Sequence, residues 1–174
     1  MRVGITGPSE LTYNEEQFVA DTAYDFLLDT EPPILEFWSG VAHGVDSIGI
    51  RAAIRARVPA IGLTIPRGAW HNEGLVRELL ADKEKQYELL VKQTKEYPHK
   101  PDAYHARNNL TIASIDALLA FPPNTREPDQ KRGGRGAGTW STIRKARKKG
   151  LPIYFYPLDG SQPFVEGQVQ GILL

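Results

Sequence analysis

Three segments of this chain combine glycines, hydroxyls and charged or amide side chains in patterns suited to an anionic, hydrogen-bonding ligand. The first is Ser39-Gly40-Val41-Ala42-His43-Gly44-Val45-Asp46. Its glycines let backbone approach a ligand closely, and a helix is predicted to begin directly after them. The free amides and positive dipole end of that helix favour an anion. Asp46 can accept hydrogen bonds from a ribose hydroxyl or a base, and it can equally cap the helix while the glycines only make the turn. The second segment is Gly133-Gly134-Arg135-Gly136-Ala137-Gly138-Thr139. It lacks the spacing of a dinucleotide fingerprint or a Walker A loop. It still offers bare amides and a hydroxyl at a helix start, which suits a phosphate. The third is Arg107-Asn108-Asn109, where Arg can fork onto a phosphate and Asn can read a base or a ribose.

Other chemistry is thinner. There is no cysteine, which removes disulfides, thiolate zinc sites and a Cys nucleophile. His43, His71, His99 and His105 show no metal-ligand spacing on a shared element, so no metal is expected; His43 and His71 could meet across a site. No Ser-His-Asp arrangement and no Gly-x-Ser-x-Gly elbow can be recognised. Trp70 and Trp140 lie in candidate ligand loops and could stack on a base, whereas Trp38 ends a strand and reads as core. Asp46 and Glu73 are the carboxylates that could serve a hydrolytic reaction.

These residues need a scaffold, and the pattern supplies one. Residues 3–5 form a short β-type run ending at Gly7-Pro8. Thr12-Tyr13-Asn14-Glu15 is a capping box, followed by an apolar stripe of Phe18, Val19, Thr22, Ala23, Phe26 and Leu27. Pro32-Pro33 stops that helix. Strand 34–38, helix 46–57 and the almost wholly apolar strand 60–65 come next. Residues 73–93 read as a helix ended by Pro98 and Pro101, with a further helix at 106–115. A strand at 117–121, a loop at 122–138, a helix at 139–149 and a strand at 152–156 complete the pattern. Strands alternating with helices predict an α/β, Rossmann-like open parallel sheet of about five or more strands with helices on both faces. In such a sheet ligands bind beyond the carboxyl ends of the strands, where the loops carrying these segments emerge.

The chain has 174 residues, 21 Lys+Arg against 21 Asp+Glu, 16 Gly and 13 Pro. That length predicts one domain over 1–174, with a helical insertion near 81–104 and a basic loop at 122–138. No apolar run spans a bilayer and the N-terminal residues do not read as a signal peptide. A cytoplasmic protein with no membrane association is therefore expected. The zero balance is uneven: residues 124–149 carry nine basic residues against Glu127 and Asp129, a net +7, leaving −7 elsewhere.

Taken in order, these pieces resemble the SLOG superfamily of Rossmann-like nucleotide-binding domains. The order is a strand ending at Gly7, Ser-Gly-x-Ala-x-Gly-x-Asp at 39–46, Arg107-Asn108, Asp-x-Leu-Leu-Ala-Phe at 116–121, then Gly138-Thr139 and a closing helix and strand. The pattern is most similar to small YspA/YpsA-type members, with DprA and the LOG phosphoribohydrolases as distant relatives. The resemblance implies a phosphorylated nucleotide or nucleotide-derived ligand. Gly7 and Pro8 would form its floor. Ser39, Gly40, His43, Gly44 and Asp46 would surround sugar and phosphate, beside Arg107 and Asn108, and Gly136, Gly138 and Thr139 would hold phosphate. It implies no resident cofactor and is compatible with a homo-oligomer. Thr142 stands where LOG enzymes carry their glutamate, which favours binding over N-glycosidic hydrolysis. Single-stranded DNA binding through the basic segment, as in DprA, is the third reading.

Overall fold

Val3 and Ile5 alternate with Gly4 along the first strand, so one face of it is apolar and the other is flat. The computed structural model describes residues 1–128 and 134–167. In chain order the elements are β1 (Arg2–Thr6), α1 (Tyr13–Asp29), β2 (Glu36–Ser39), α2 (Val45–Arg55), β3 (Ala60–Ile65), α3 (Glu73–Ala81), β4 (Glu88–Gln93), α4 (Lys100–Ser114), β5 (Ala117–Ala120), α5 (Ala137–Lys149), β6 (Ile153–Phe155) and β7 (Phe164–Glu166). The strands form one sheet in the order β4-β3-β2-β1-β5-β6-β7. Every neighbouring pair is parallel except β6 and β7.

The two faces carry separate cores. Val3, Ile5, Phe37, Ile61 and Leu63 pack with Val19, Ala23 and Leu27 of α1, Ile50 and Ala53 of α2 and Leu75 and Leu79 of α3. On the opposite face Trp38, Leu118, Ile153 and Phe155 pack with Ile112 of α4 and Trp140 and Ile143 of α5. Each fully buried large side chain contributes about 1.5–3 kcal/mol. The Thr12 capping box forms as predicted: the Glu15 amide donates to Thr12 Oγ1 at 3.3 Å, and the Thr12 amide donates to Glu15 Oε2 at 2.8 Å.

The chain winds outward from β1 to β4, then crosses back through α4 to place β5 on the other side of β1. The β1/β5 junction is thus the topological switch point, where loops diverge and leave a crevice. Hydroxyls lock the layers beneath it. Thr64 Oγ1 donates to the Ser39 carbonyl at 3.1 Å and lies 2.6 Å from Thr111 Oγ1, joining β3, β2 and α4.

The structure differs from the sequence reading between residues 81 and 104. Between Ala81 and Lys100 the expected helical insertion is not helical: it contains β4, which pairs with all of β3 from Ala60↔Glu88 to Ile65↔Gln93. Helix α3 stops at Ala81 because Asp82 turns the chain, its Oδ1 accepting the Glu84 amide at 2.9 Å. As an edge strand β4 is mostly exposed or half-exposed, so its sequence lacks the continuous apolar run of a central parallel strand. Pro101 does not end a helix but occupies the first turn of α4, where a missing N–H costs nothing. No described helix is long and apolar enough to cross a membrane.

Candidate functional site

A half-open cleft of about 540 Å³ lies over the β1/β5 junction. Its floor is Ile5, Thr6, Gly7 and Pro8, leaving β1. One wall is Gly40, Ala42 and Asp46. A second is the face of α4 formed by Tyr104, Arg107, Asn108 and Thr111, and a third is the start of α5, from Gly134 to Thr139 with Thr142. Residues from five predicted elements therefore converge on one volume.

Asp46 and Arg107 meet at its base. Asp46 Oδ2 lies 3.6 Å from Arg107 Nη1, and the two side chains are 9% and 14% exposed. The Ala42 amide donates to the same carboxylate oxygen at 3.1 Å, and Arg107 Nη1 donates to the Gly40 carbonyl. Burial pushes the Asp46 carboxyl above the usual aspartate range, against the opposing pull of the Arg107 charge and the Ala42 and Gly40 amides. Burial likewise lowers Arg107, with Asp46 acting against it. Gly40 makes this packing possible, since a β-carbon there would run into the Arg107 guanidinium and stand 2.9 Å from Asp46 Oδ2. Gly44 adopts φ +64° at the N-cap of α2, a conformation open to glycine. It brings the Val45 amide within 3.1 Å of the Pro8 carbonyl, fastening the first wall to the floor.

Helix α5 presents its N-terminus to the cleft. Its N-cap, Gly136, is left-handed and makes no side-chain cap bond. The Ala137 and Trp140 amides are taken by Gly134 and Gly136 carbonyls; among the described residues the Gly138 and Thr139 amides have no such partner. Three buried side-chain polar atoms are unpartnered among the described residues: Arg107 Nε, Thr139 Oγ1 and Tyr154 Oη. Two of the three belong to residues lining this cleft. Buried polar groups are ordinarily satisfied, and these two are exceptions within one cleft lining.

Arg135 closes one rim. Its Nη2 donates to both Glu15 carboxylate oxygens, at 2.8 and 2.7 Å, tying the start of α5 to α1. Burial pushes Glu15 up, but Arg135 and Thr12 outweigh it and hold the carboxyl below its ordinary value.

Of the residues singled out from sequence, Gly7, Pro8, Gly40, Asp46, Arg107, Asn108, Gly136, Gly138 and Thr139 line the cleft. Others do not. Ser39 is fully buried, its Oγ donating to the Asp46 carbonyl at 3.3 Å and accepting the Val41 amide at 3.1 Å; it shapes the wall from behind. Gly44 serves the same role. His43 is exposed and turned toward Trp70 and Asn72. Glu73 is not at the cleft: it heads α3, and Arg77 Nη2 reaches it at 3.3 Å along the helix. His71 Nδ1 lies 3.4 Å from the Ala69 carbonyl, and no group of three His, Asp or Glu able to hold a metal ion occurs among the described residues. Trp140 cannot receive a base, because it is 2% exposed and packs near Phe155.

The charge of segment 124–149 is also largely spent within the fold. Arg144 and Arg147 pair with Glu127, Arg147 also with Glu166, and Lys149 donates to the Ile112 and Ile115 carbonyls. Among the described residues of this set, Arg135 alone lines the cleft. Lys131, Arg132 and Gly133 lie outside the described residues. Sequence reasoning missed Tyr104 and Thr111, whose i, i+3, i+4, i+7 relation to Arg107 and Asn108 marks one helix face. Starting that helix at 106 hid the signal.

No protein-family model matches the chain, and no curated protein sequence matches it. Solved structures do. The chain superposes on DNA processing protein A (DprA) from Streptococcus pneumoniae with a TM-score of 0.63 at 16% identity, covering 88% of this chain and 49% of that one. It superposes on DprA from Helicobacter pylori, described for its single-stranded DNA binding mode, with a TM-score of 0.58 at 20% identity, covering 89% and 64%. The chain thus spans between half and two thirds of these proteins. The fold is the Rossmann-like α/β fold of DprA.

Proposed function

We propose that the cleft binds a phosphorylated nucleotide unit. The observation that carries this reading is the pair of unpartnered buried groups, Arg107 Nε and Thr139 Oγ1, in residues lining a cleft into which α5 directs free amides. A phosphate at the start of α5 would accept hydrogen bonds from the Gly138 and Thr139 amides and the Thr139 hydroxyl. Arg107 would add charge, Asn108 a base or sugar contact, and Tyr104 a stacking surface. Charge-assisted hydrogen bonds of about 1.5–3 kcal/mol each give micromolar affinity from a few contacts once binding costs are met. Calorimetry against nucleoside monophosphates, cyclic nucleotides and ADP-ribose derivatives tests it. Binding with a 1:1 stoichiometry that Thr139→Val weakens is the expected result, and absence of heat with every nucleotide overturns it.

A second reading is favoured by the likeness to the Helicobacter pylori protein: the nucleotide is part of a single DNA strand. It predicts affinity falling with salt, with a log–log slope of about −0.7 per phosphate neutralised. Hydrolysis of the N-glycosidic bond has less support. Asp46 is tied to Arg107 and the Ala42 amide, Glu73 is remote, and Thr142 donates to the Gly138 carbonyl at 3.2 Å where an acid would be needed.

A further inference from the structure

The loop after β3 carries an aromatic group that the cleft does not use. Trp70 is 52% exposed, whereas Trp38 and Trp140 are each 2% exposed. Its ring lies against His43, with centroids 4.8 Å apart and planes inclined by 43°. His43 is in turn held by Asn72, whose Nδ2 lies 3.2 Å from His43 Nδ1 and donates to Ser47 Oγ at 3.1 Å. Asn72 also caps α3 through the Leu75 amide at 3.1 Å, and its own amide donates to the Val41 carbonyl at 2.9 Å. The rings are therefore braced by two helices and the loop after β2, although they face solvent. A large exposed aromatic resting on a braced side chain offers a surface for stacking.

Its position relates it to the cleft. His43 directly follows Ala42, which lines the wall. The strand order β3-β2-β1 puts the Trp70 loop two strands from the cleft floor, about 10 Å at ordinary strand spacing. Arg67, on the same loop, is exposed, and among the described residues its guanidinium has no hydrogen-bond or ion-pair partner. An exposed aromatic face and an unengaged cation on one loop, beyond the edge of a nucleotide-sized cleft, are the two elements with which proteins follow an unpaired strand.

We infer that Trp70, braced by His43, is a stacking platform for a second base, so that the cleft's ligand is a single-stranded polynucleotide of at least two nucleotides. This rests on the nucleotide reading of the cleft. One nucleotide occupies the cleft with its phosphate toward α5; the strand passes Ala42 and His43, its next base lies on the free face of Trp70, and Arg67 meets a phosphate beyond.

Trp38 and Trp140 are buried, so only Trp70 is open to contact by a base, and the part of the emission lost in Trp70→Ala reports on it. The experiment titrates the intact chain with a short oligo(dT), oligo(rU) and thymidine monophosphate, following emission and calorimetric heat together. Either oligonucleotide is expected to quench the emission, with the tighter arm identifying the sugar, while the monophosphate binds without quenching. Trp70→Ala should weaken the oligonucleotide roughly five- to hundredfold, leave monophosphate affinity unchanged, and be restored in large part by Trp70→Phe. Three results overturn the inference: oligonucleotide heat without quenching, Trp70→Ala binding as well as the parent chain, or equal quenching by the monophosphate. If the monophosphate binds while any of these holds, the nucleotide cleft stands and only the platform falls. If nothing binds, both fall.

Discussion

Asp46 and Arg107 face each other across 3.6 Å at the base of the cleft, and neither satisfies the other. Arg107 spends one Nη on the Gly40 carbonyl and leaves Nε without a partner, while Asp46 draws on the Ala42 amide. A structural ion pair of this burial would be closed by further hydrogen bonds. Here Arg107 Nε has no partner among the described residues, and both side chains belong to residues that line the cleft.

Asp46→Asn tests that arrangement. The substitution keeps the shape and removes a charge that burial opposes, so without ligand the variant should melt no lower than the parent chain at neutral pH. A bound phosphate would supply part of the missing charge, so nucleotide should raise the melting temperature of the variant more than that of the parent chain. Equal shifts in a paired thermal-denaturation measurement would mean that the anion does not reach Arg107.

The protonation of Asp46 gives a pH dependence of definite sign. Burial, the largest influence, holds its folded-state value above that of an ordinary aspartate, against Arg107 and the two amides. Between the unfolded and folded values the folded chain therefore binds the extra proton. The associated stability is fully present below the ordinary aspartate range and is lost as pH rises through the folded value. Comparing denaturant stabilities of the parent and Asp46→Asn across acid pH isolates this contribution: the parent should gain on the variant as pH falls through the folded value, and the two should converge where Asp46 is protonated. Affinity for a phosphodiester, whose own charge is constant there, should strengthen as pH falls through the same interval.

Legibility of the sequence followed burial. β3 is apolar nearly throughout because both faces are covered, and its limits, Ala60–Ile65, are those expected. β4 escaped detection because its outer edge is free. Its Lys92 lies 4.5 Å from the Trp38 ring and donates to Ser114 Oγ at 2.9 Å, so a charged residue faces inward where an apolar one marks a central strand. The cleft's backbone elements were legible as Gly-bearing loops before helices. Which side chains line it was less so. Trp140 directly follows the lining residue Thr139 yet is buried near Phe155, and Glu73 heads α3, whose preceding loop contributes no lining residue. The net +7 of segment 124–149 already subtracts Glu127; of its basic residues Arg135 pairs with Glu15 and Arg147 with Glu166, outside the segment, and among the described ones Arg135 alone lines the cleft.

Gly40→Ala should separate close packing from chain flexibility. The added methyl would enter the space of the Arg107 guanidinium, and Arg107 has no second buried acceptor among the described residues. Displacing it breaks the bond to the Gly40 carbonyl and the contact with Asp46 together. A loss of about 1–3 kcal/mol, the usual range for overpacking, is expected in denaturant unfolding, with nucleotide affinity reduced at least tenfold. Parent-like affinity in the variant would show that Arg107 is not needed in its observed position.

Thr139→Val carries the sharpest prediction, because stability and binding should move in opposite directions. Thr139 is 2% exposed, lines the cleft and has no partner for its hydroxyl among the described residues. Valine has the same shape without the polar group, so replacing an unsatisfied buried hydroxyl removes a desolvation penalty of about 1–3 kcal/mol. The free variant should melt higher than the parent chain. If the hydroxyl is kept for a phosphate at the start of α5, nucleotide affinity should fall about tenfold, the worth of one hydrogen bond to a charged group. Calorimetry and thermal denaturation on the same preparations read both quantities. A variant that is stabilised and still binds as the parent does would leave Thr139 with no part in ligand recognition. One that is destabilised would mean the hydroxyl already has a partner within the fold.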